Sequence, residues 1–247
     1  MALQKDTRAL GAKDVALIVL LSAFLGFAGG WAFQATGIGR GGDEAAFEEY
    51  LMTHPEVIPA AIDELQRRER ADAVGPLRPQ LEQPFPGAVI GNPQGSVTLV
   101  EFSDYGCSAC MAAQPHVKQL IADNPDLRVV VRELPIISEH GVDAARMALA
   151  AARQGKYAAF HDRMYAARGP DPANIEQAAR DAGVDLERAR ADIESGAFDA
   201  ELQANLSLAQ QLGFSGTPSW TVGDNAFNGV VGVENLQQGI DAARDPA

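Results

Sequence analysis

Between Ser96 and Leu134 the spacing of apolar residues changes from that of a strand to that of a helix and back, and no other stretch constrains the fold as tightly. "SVTLVEFSDY", Ser96 to Tyr105, places Val97, Leu99 and Val100 as a strand does. "CMAAQPHVKQLIADN", Cys110 to Asn124, is helical in pattern, and Pro115 is expected to kink it. "LRVVVREL", Leu127 to Leu134, is a second strand. A strand, a helix and a strand joined by short links form a right-handed parallel crossover, which demands a sheet with helices against it. Downstream, Glu139 to Leu212 is helical throughout, with Gly155, Gly183 and Gly213 as stops and Pro170 and Pro172 as breaks. "SWTVG" and "NGVVG", within Ser219 to Gly232, read as a hairpin around Gly223, Asp224 and Asn225. A last helix runs from Glu234 to Ala243. The order β-α-β, helical insert, β-β-α defines an α/β fold.

The two cysteines of the chain, Cys107 and Cys110, fall where the first strand gives way to the helix. They could be a staple, half a metal site or a redox pair. A chain of 247 residues can build its own core, and a bridge over two residues removes little entropy from the unfolded state. A zinc or Cu(I) site needs further ligands. His116 stands six residues past Cys110, while His54, His140 and His161 are scattered, and there is no second Cys-x-x-Cys. No resident metal or cofactor is therefore expected. For a redox pair the position is apt: free N–H groups and the helix dipole stabilise a thiolate at a helix N-terminus. Cys107 would be the attacking sulfur and Cys110, one turn in, the resolving one.

"VEFSDYGCSAC", the helical insert and "GFSGTPSWTVG" together resemble the DsbA-like branch of the thioredoxin superfamily, over Val89 to about Ala243. The resemblance implies a thioredoxin fold with a large helical insertion at about 139–213 and a catalytic dithiol at Cys107 and Cys110. It makes Glu101 a buried acid under the active-site helix, with a raised pKa, trading a proton with Cys110. It makes Thr217-Pro218 a cis-proline loop whose backbone faces Cys107 and pairs with an extended client. An ordinary strand-edge acid and a trans proline are the plainer alternatives. Ser108 and Ala109 depart from the Pro-His of the most oxidising members. With no charge between the cysteines, the potential is expected between about −120 mV and about −270 mV.

The net charge of −13 argues against nucleic acid as a partner. "VALIVLLSAFLGFAGGWAF", Val15 to Phe33, is an uncharged apolar run of 19 residues, close to a bilayer core in length. Lys5, Arg8 and Lys13 precede it, which puts the remainder of the chain outside the cytoplasm. A cleaved signal peptide is the alternative. Gly37, Gly39 and Gly42 fit a dinucleotide fingerprint but lack the strand before it, and read as linker. Asp43 to Ala73 is helical, interrupted at Pro55 and Pro59, with a stripe of Phe47, Tyr50, Leu51, Ile58, Ile62 and Leu65. "GPLRPQLEQPFPG", Gly75 to Gly87, reads as a boundary.

Three segments follow: 1–36, a cytoplasmic tip and anchor; 37–80, a linker and helical stalk; 81–247, the DsbA-like domain. "FEEYLMTHPEVIPAAIDELQ" resembles the N-terminal segment of the suppressor-of-copper-sensitivity C type proteins. That resemblance implies a homo-oligomer assembled through 43–70. The expected protein is a thiol–disulfide oxidoreductase or isomerase of the bacterial cell envelope. It would sit as a single-pass protein of the inner membrane with its catalytic domain in the periplasm, or be secreted there if the N-terminus is cleaved. Its partners would be exported clients with cysteines and a membrane redox protein that recycles the dithiol. A tethered copper-handling or client-binding module, its dithiol ligating metal, is the alternative.

Overall fold

The computed structural model describes residues 42–244, together with Ser22. The apolar run 15–33 lies outside the described residues but for Ser22. Among the described residues, no helix is long and apolar enough to cross a membrane. The chain divides into two compact units between Asp63 and Glu64.

Two helices come first, α1 (Gly42–Thr53) and α2 (Val57–Val74). The chain breaks between them at Pro55, while Pro59 sits in the first turn of α2, where a missing N–H costs nothing. Of the apolar stripe, Phe47, Tyr50, Ile58, Ile62 and Leu65 are exposed, and Met52 with them.

The second unit is built on a five-stranded sheet in the order β1-β3-β2-β4-β5. Its strands are β1 (Val89–Gly91), β2 (Val97–Ser103), β3 (Leu127–Glu133), β4 (Ser219–Val222) and β5 (Asn225–Asn228). β2 and β3 are parallel, joined by α4 (Ser108–Asp123), and the other pairs are antiparallel. The thioredoxin-type α/β fold expected from the sequence is thus present. The insert is five helices: α5 (Gly141–Arg153), α6 (Tyr157–Ala166), α7 (Pro172–Asp181), α8 (Leu186–Glu194) and α9 (Asp199–Gln211). α10 (Val233–Arg244) closes the fold.

The sheet separates two apolar clusters, as alternation along its strands requires. Val97, Leu99, Val129, Val131, Trp220 and Val222 join the larger, with α4, the helices of the insert and α10. Val100, Phe102 and Val130 join the smaller, with Leu208 and Ala209 of α9 and with Val74 and Leu81. Leu81 belongs to the short helix α3 (Arg78–Leu81), which follows a 3-10 turn over Gly75–Leu77. The proline-rich stretch is therefore partly core.

Three local expectations need correction. The second strand of the hairpin is Asn225–Asn228, not the "NGVVG" that follows, because Gly223 turns at φ 54° and pairs Val222 with Asn225, and Gly229 leaves the strand at φ 83°. α4 begins at Ser108, two residues before the start read from the sequence, and remains one helix through Pro115. β1 was not foreseen; three residues are too short for a period to show.

Candidate active site

β2 ends at Ser103 and delivers the chain into a tight turn held by Asp104. The Asp104 carboxylate accepts from Gly106 N–H at 2.7 Å through Oδ1, and from Ile136 and Ile137 N–H at 2.8 Å through Oδ2. Its own carbonyl accepts from Cys107 N–H at 3.0 Å. One buried residue thereby fastens the cysteine loop to the loop carrying the exposed Ile136 and Ile137. Gly106 is required there, since a Cβ would lie 2.3 Å from Ser138 Oγ.

Cys107 is the N-cap of α4, extended at φ −89° and ψ 116°. Its sulfur accepts from Cys110 N–H at 3.4 Å, the interaction that starts the helix at Ser108. The thiol also donates to the Thr217 carbonyl at 3.1 Å, across 110 positions of sequence. The Thr217-Pro218 bond is cis. Both cysteines are free thiols. Cys107 retains 7% exposure and Cys110 has none, so the first sulfur is open to solvent and the second is not. Burial pushes the Cys110 thiol up to about 12; the Thr217 hydroxyl and the Asp104 backbone oppose this, and the charge of Glu101 adds to it. Cys110 is thus a proton-holding thiol that needs an acceptor before it can attack.

Glu101 lies on β2 opposite Trp220 of β4, fully buried on the face toward α4. Burial raises its pKa to about 7, against hydrogen bonds from Ser103 and Gln114 that favour the carboxylate. Ser103 Oγ donates to Oε1 at 3.0 Å and Gln114 Nε2 at 3.3 Å. Oε2 is buried with no hydrogen-bond partner among the protein atoms. Such a carboxyl takes or gives a proton near neutral pH.

The structure brings Cys107, Cys110, Glu101, Thr217 and Pro218 to one end of the sheet. Ser108 is exposed and Ala109 half-buried against the core at the start of α4. His116 is exposed, whereas His161 is buried with both ring nitrogens in hydrogen-bond contact. Among the described residues, no three His, Cys, Asp or Glu side chains converge as a metal site. Sequence reasoning missed a second buried acid, Glu133, which accepts from Tyr157 O–H at 2.7 Å. Burial pushes its pKa up to about 8. A usable signal existed: Glu133 shares its parity with Val129 and Val131, and so had to face the core.

Residues 85–242 match the family model described as Thioredoxin, and residues 44–72 that of the copper resistance protein ScsC N-terminal domain. The chain belongs to the thioredoxin family, as a DsbA-like member with a ScsC-type N-terminal segment. A thioredoxin-like oxidoreductase from Silicibacter pomeroyi is 42% identical, with TM-score 0.61 over 64% of this chain and 92% of that one. The thiol-disulfide exchange protein alpha-DsbA2 from Wolbachia pipientis is 26% identical, with TM-score 0.65 over 72% and 97%. A periplasmic thioredoxin-like protein from Salmonella enterica serovar Typhimurium is 27% identical, with TM-score 0.56 over 66% and 92%. Among curated relatives, a Na(+)/H(+) antiporter NhaA from Salinispora tropica is 30% identical over 158 residues, which is 63% of this chain. The chain spans only 24% of that antiporter's length. The homologous domains are those of thiol–disulfide oxidoreductases.

Proposed function

We propose that this chain exchanges and isomerises disulfides in exported proteins of the bacterial cell envelope through Cys107-Ser108-Ala109-Cys110. The observation that carries this reading is the asymmetry of the two sulfurs: one reachable and hydrogen-bonded to the Thr217 carbonyl, the other sealed and adjacent in the fold to a titrating carboxyl. The Cys107 thiolate attacks a client disulfide, and a mixed disulfide forms as one client sulfur leaves as thiolate. When Cys107 ionises, it no longer donates to the Thr217 carbonyl, which is then free to accept a client backbone N–H. Glu101 takes the Cys110 proton, and the Cys110 thiolate attacks Cys107. The Cys107–Cys110 bond forms, the Cys107–client bond breaks, and the second client sulfur leaves. The client gains two electrons and the dithiol loses them; oxidation of a client runs the same steps backward. The dithiol is the redox group, and no further cofactor enters.

The exposed stripe on α1 and α2, in a segment matching the ScsC N-terminal domain, supports assembly of several copies through 43–70. Several dithiols around one client raise the effective concentration of thiol, which favours isomerisation. The run Val15–Phe33 would anchor the assembly in the inner membrane, with the dithiol on the periplasmic side and a membrane redox partner recycling it. The second reading, suggested by the name of that matching segment, has the free Cys107–Cys110 dithiol ligating Cu(I).

A Cys110→Ser variant separates the two. Incubated with a client of scrambled disulfides, it should accumulate a mixed disulfide through Cys107, visible on non-reducing gels and lost in Cys107→Ser. A variant that traps no client, from a parent that holds stoichiometric Cu(I), would move the assignment to the metal-binding module.

A further inference from the structure

The pairing of β3 with β2 runs one residue past the strand: Leu134 N–H donates to the Ser103 carbonyl at 2.8 Å. Pro135 has no N–H and ends the ladder. The next two N–H groups, of Ile136 and Ile137, go to Asp104 Oδ2, while Oδ1 holds the N–H of Gly106, the neighbour of Cys107. A carboxylate that is 1% exposed is thus committed to fixing the backbone of a loop whose side chains face water. Ile136 is 46% exposed and Ile137 55%. A segment serving only to join β3 to α5 would carry polar residues there. Held in place from below, the two isoleucines form an apolar ledge beside the cysteine loop.

Ile136 also lines a cleft of about 250 Å³ between this loop, α5 and α9. Leu134, Pro135, Val142, Leu202 and Leu206 supply its apolar walls. The two charged residues that line it, Arg146 and Asp199, pair with each other at 2.8 Å. The cleft therefore suits an uncharged, apolar group. A space of this size takes one or two aliphatic side chains and no element of secondary structure.

In the sheet, β2 lies between β3 and β4. The cysteine loop follows β2, so Thr217 flanks it from the β4 side, and Ile136 and Ile137 flank it from the β3 side. The flanks differ in chemistry. One presents a backbone carbonyl to Cys107, and the other presents apolar side chains. A chain disulfide-bonded to Cys107 has its cysteine Cα about 6 Å from that of Cys107. At about 3.4 Å per extended residue, side chains roughly two to four positions along that chain reach the ledge and the cleft.

We propose that Ile136, Ile137 and the adjoining cleft form a side-chain subsite for the client polypeptide. It takes a leucine-sized residue a few positions from the client cysteine, and so directs the dithiol to cysteines in apolar sequence, which unfolded chains expose and folded ones bury. This rests on Cys107 being the attacking thiol, as described above. The occupant follows from continuity with that thiol: Asp104 joins the ledge to the residue before Cys107, and the molecule bonded to that sulfur must lie against both.

Short Gly-Ser peptides with one cysteine, activated as the thionitrobenzoate mixed disulfide, test this, with a leucine replacing serine at successive positions on either side of the cysteine. The Cys107 thiolate attacks the peptide sulfur, the bond from that sulfur to thionitrobenzoate breaks, and the coloured thiolate leaves with the electron pair. With the reduced full-length chain, leucine at the favoured position should raise the second-order rate constant about tenfold over the plain peptide. In Ile136→Ser/Ile137→Ser that gain should fall below about twofold. The rate with the cysteine–thionitrobenzoate disulfide, which has no flanking residues, should stay as in wild type. No leucine preference in wild type, or a preference that survives in the double variant, overturns the subsite. An equal loss for peptide and free cysteine also overturns it, and makes the loop a support for Cys107. A double variant that sediments differently from wild type gives the ledge to a second copy of the chain instead. Failure of the underlying reading looks different: wild type would then release no thionitrobenzoate from any of these disulfides, or release it no faster than Cys107→Ser.

Discussion

Glu101 sets the terms at the scale of single residues. Its carboxyl keeps a proton in the folded protein up to about pH 7, while the unfolded chain releases it near the ordinary value of 4.5. The folded state therefore loses relative stability as pH rises from 4.5 to about 7, and the loss is constant above that. At about 1.4 kcal/mol per pH unit, the cost approaches about 3 kcal/mol. Glu101→Gln should thus be more stable than wild type by about 2–3 kcal/mol at pH 8, the gap closing toward pH 4.5. Urea titrations at the two pH values measure it; a gap independent of pH would mean that ionisation is not its source. The dipeptide between the cysteines gives a second prediction. Wild type should equilibrate with glutathione at a potential between about −270 and about −120 mV, and Ala109→His should move it toward the oxidising end. A wild-type potential outside that interval contradicts the reading of Ser108 and Ala109 as weak stabilisers of thiolate.

Among the elements, Arg132 joins the end of the proline-rich segment to the sheet. Buried on β3, it donates to the carbonyls of Gln80, Leu81 and Gln83, to Glu201 of α9 at 2.9 Å and to Asn205 at 3.1 Å. Arg132→Met leaves Glu201 and three carbonyls without this donor, and should cost about 3–5 kcal/mol in denaturant unfolding. A loss below about 1 kcal/mol would show that water replaces the guanidinium readily. This link also shows what the sequence could and could not reveal. β2, β3 and the insert announce themselves, because each repeats its own period along consecutive residues. The pairing of Arg132 with a segment of apparent linker does not, for it depends on which residues lie across the sheet. The same applies to the site. Cys107, Cys110, Glu101 and Thr217-Pro218 belong to short recognisable strings. Tyr105, Gln114, Glu133 and His161 come from four separate elements and carry no local signature beyond the core-facing parity of Glu133.

At the scale of the whole molecule, the unit boundary at Asp63 and Glu64 decides how the stalk should be tested. Removing residues as far as 80 would strip Val74 and Leu77 from the apolar cluster that they share with Val100 and Phe102. Truncation before Glu64 spares it. A chain beginning at Glu64 should sediment as a monomer, still oxidise a single dithiol client, and lose refolding activity on a scrambled one. Undiminished isomerase activity in that monomer would dissociate α1 from the function. The contact between Cys107 and the Thr217 carbonyl carries one more implication. Those groups are separated by 110 positions, and β4, which holds the second of them in place, is the partner of β2. A ribosome delivers the two cysteines long before it delivers Thr217. Throughout that interval the nascent chain bears a pair of thiols without the carbonyl that contacts one and without the strand that buries Glu101 from one side. Until then such a chain is itself an unprotected substrate for oxidants, and its thiol site is complete only after its C-terminal third has arrived.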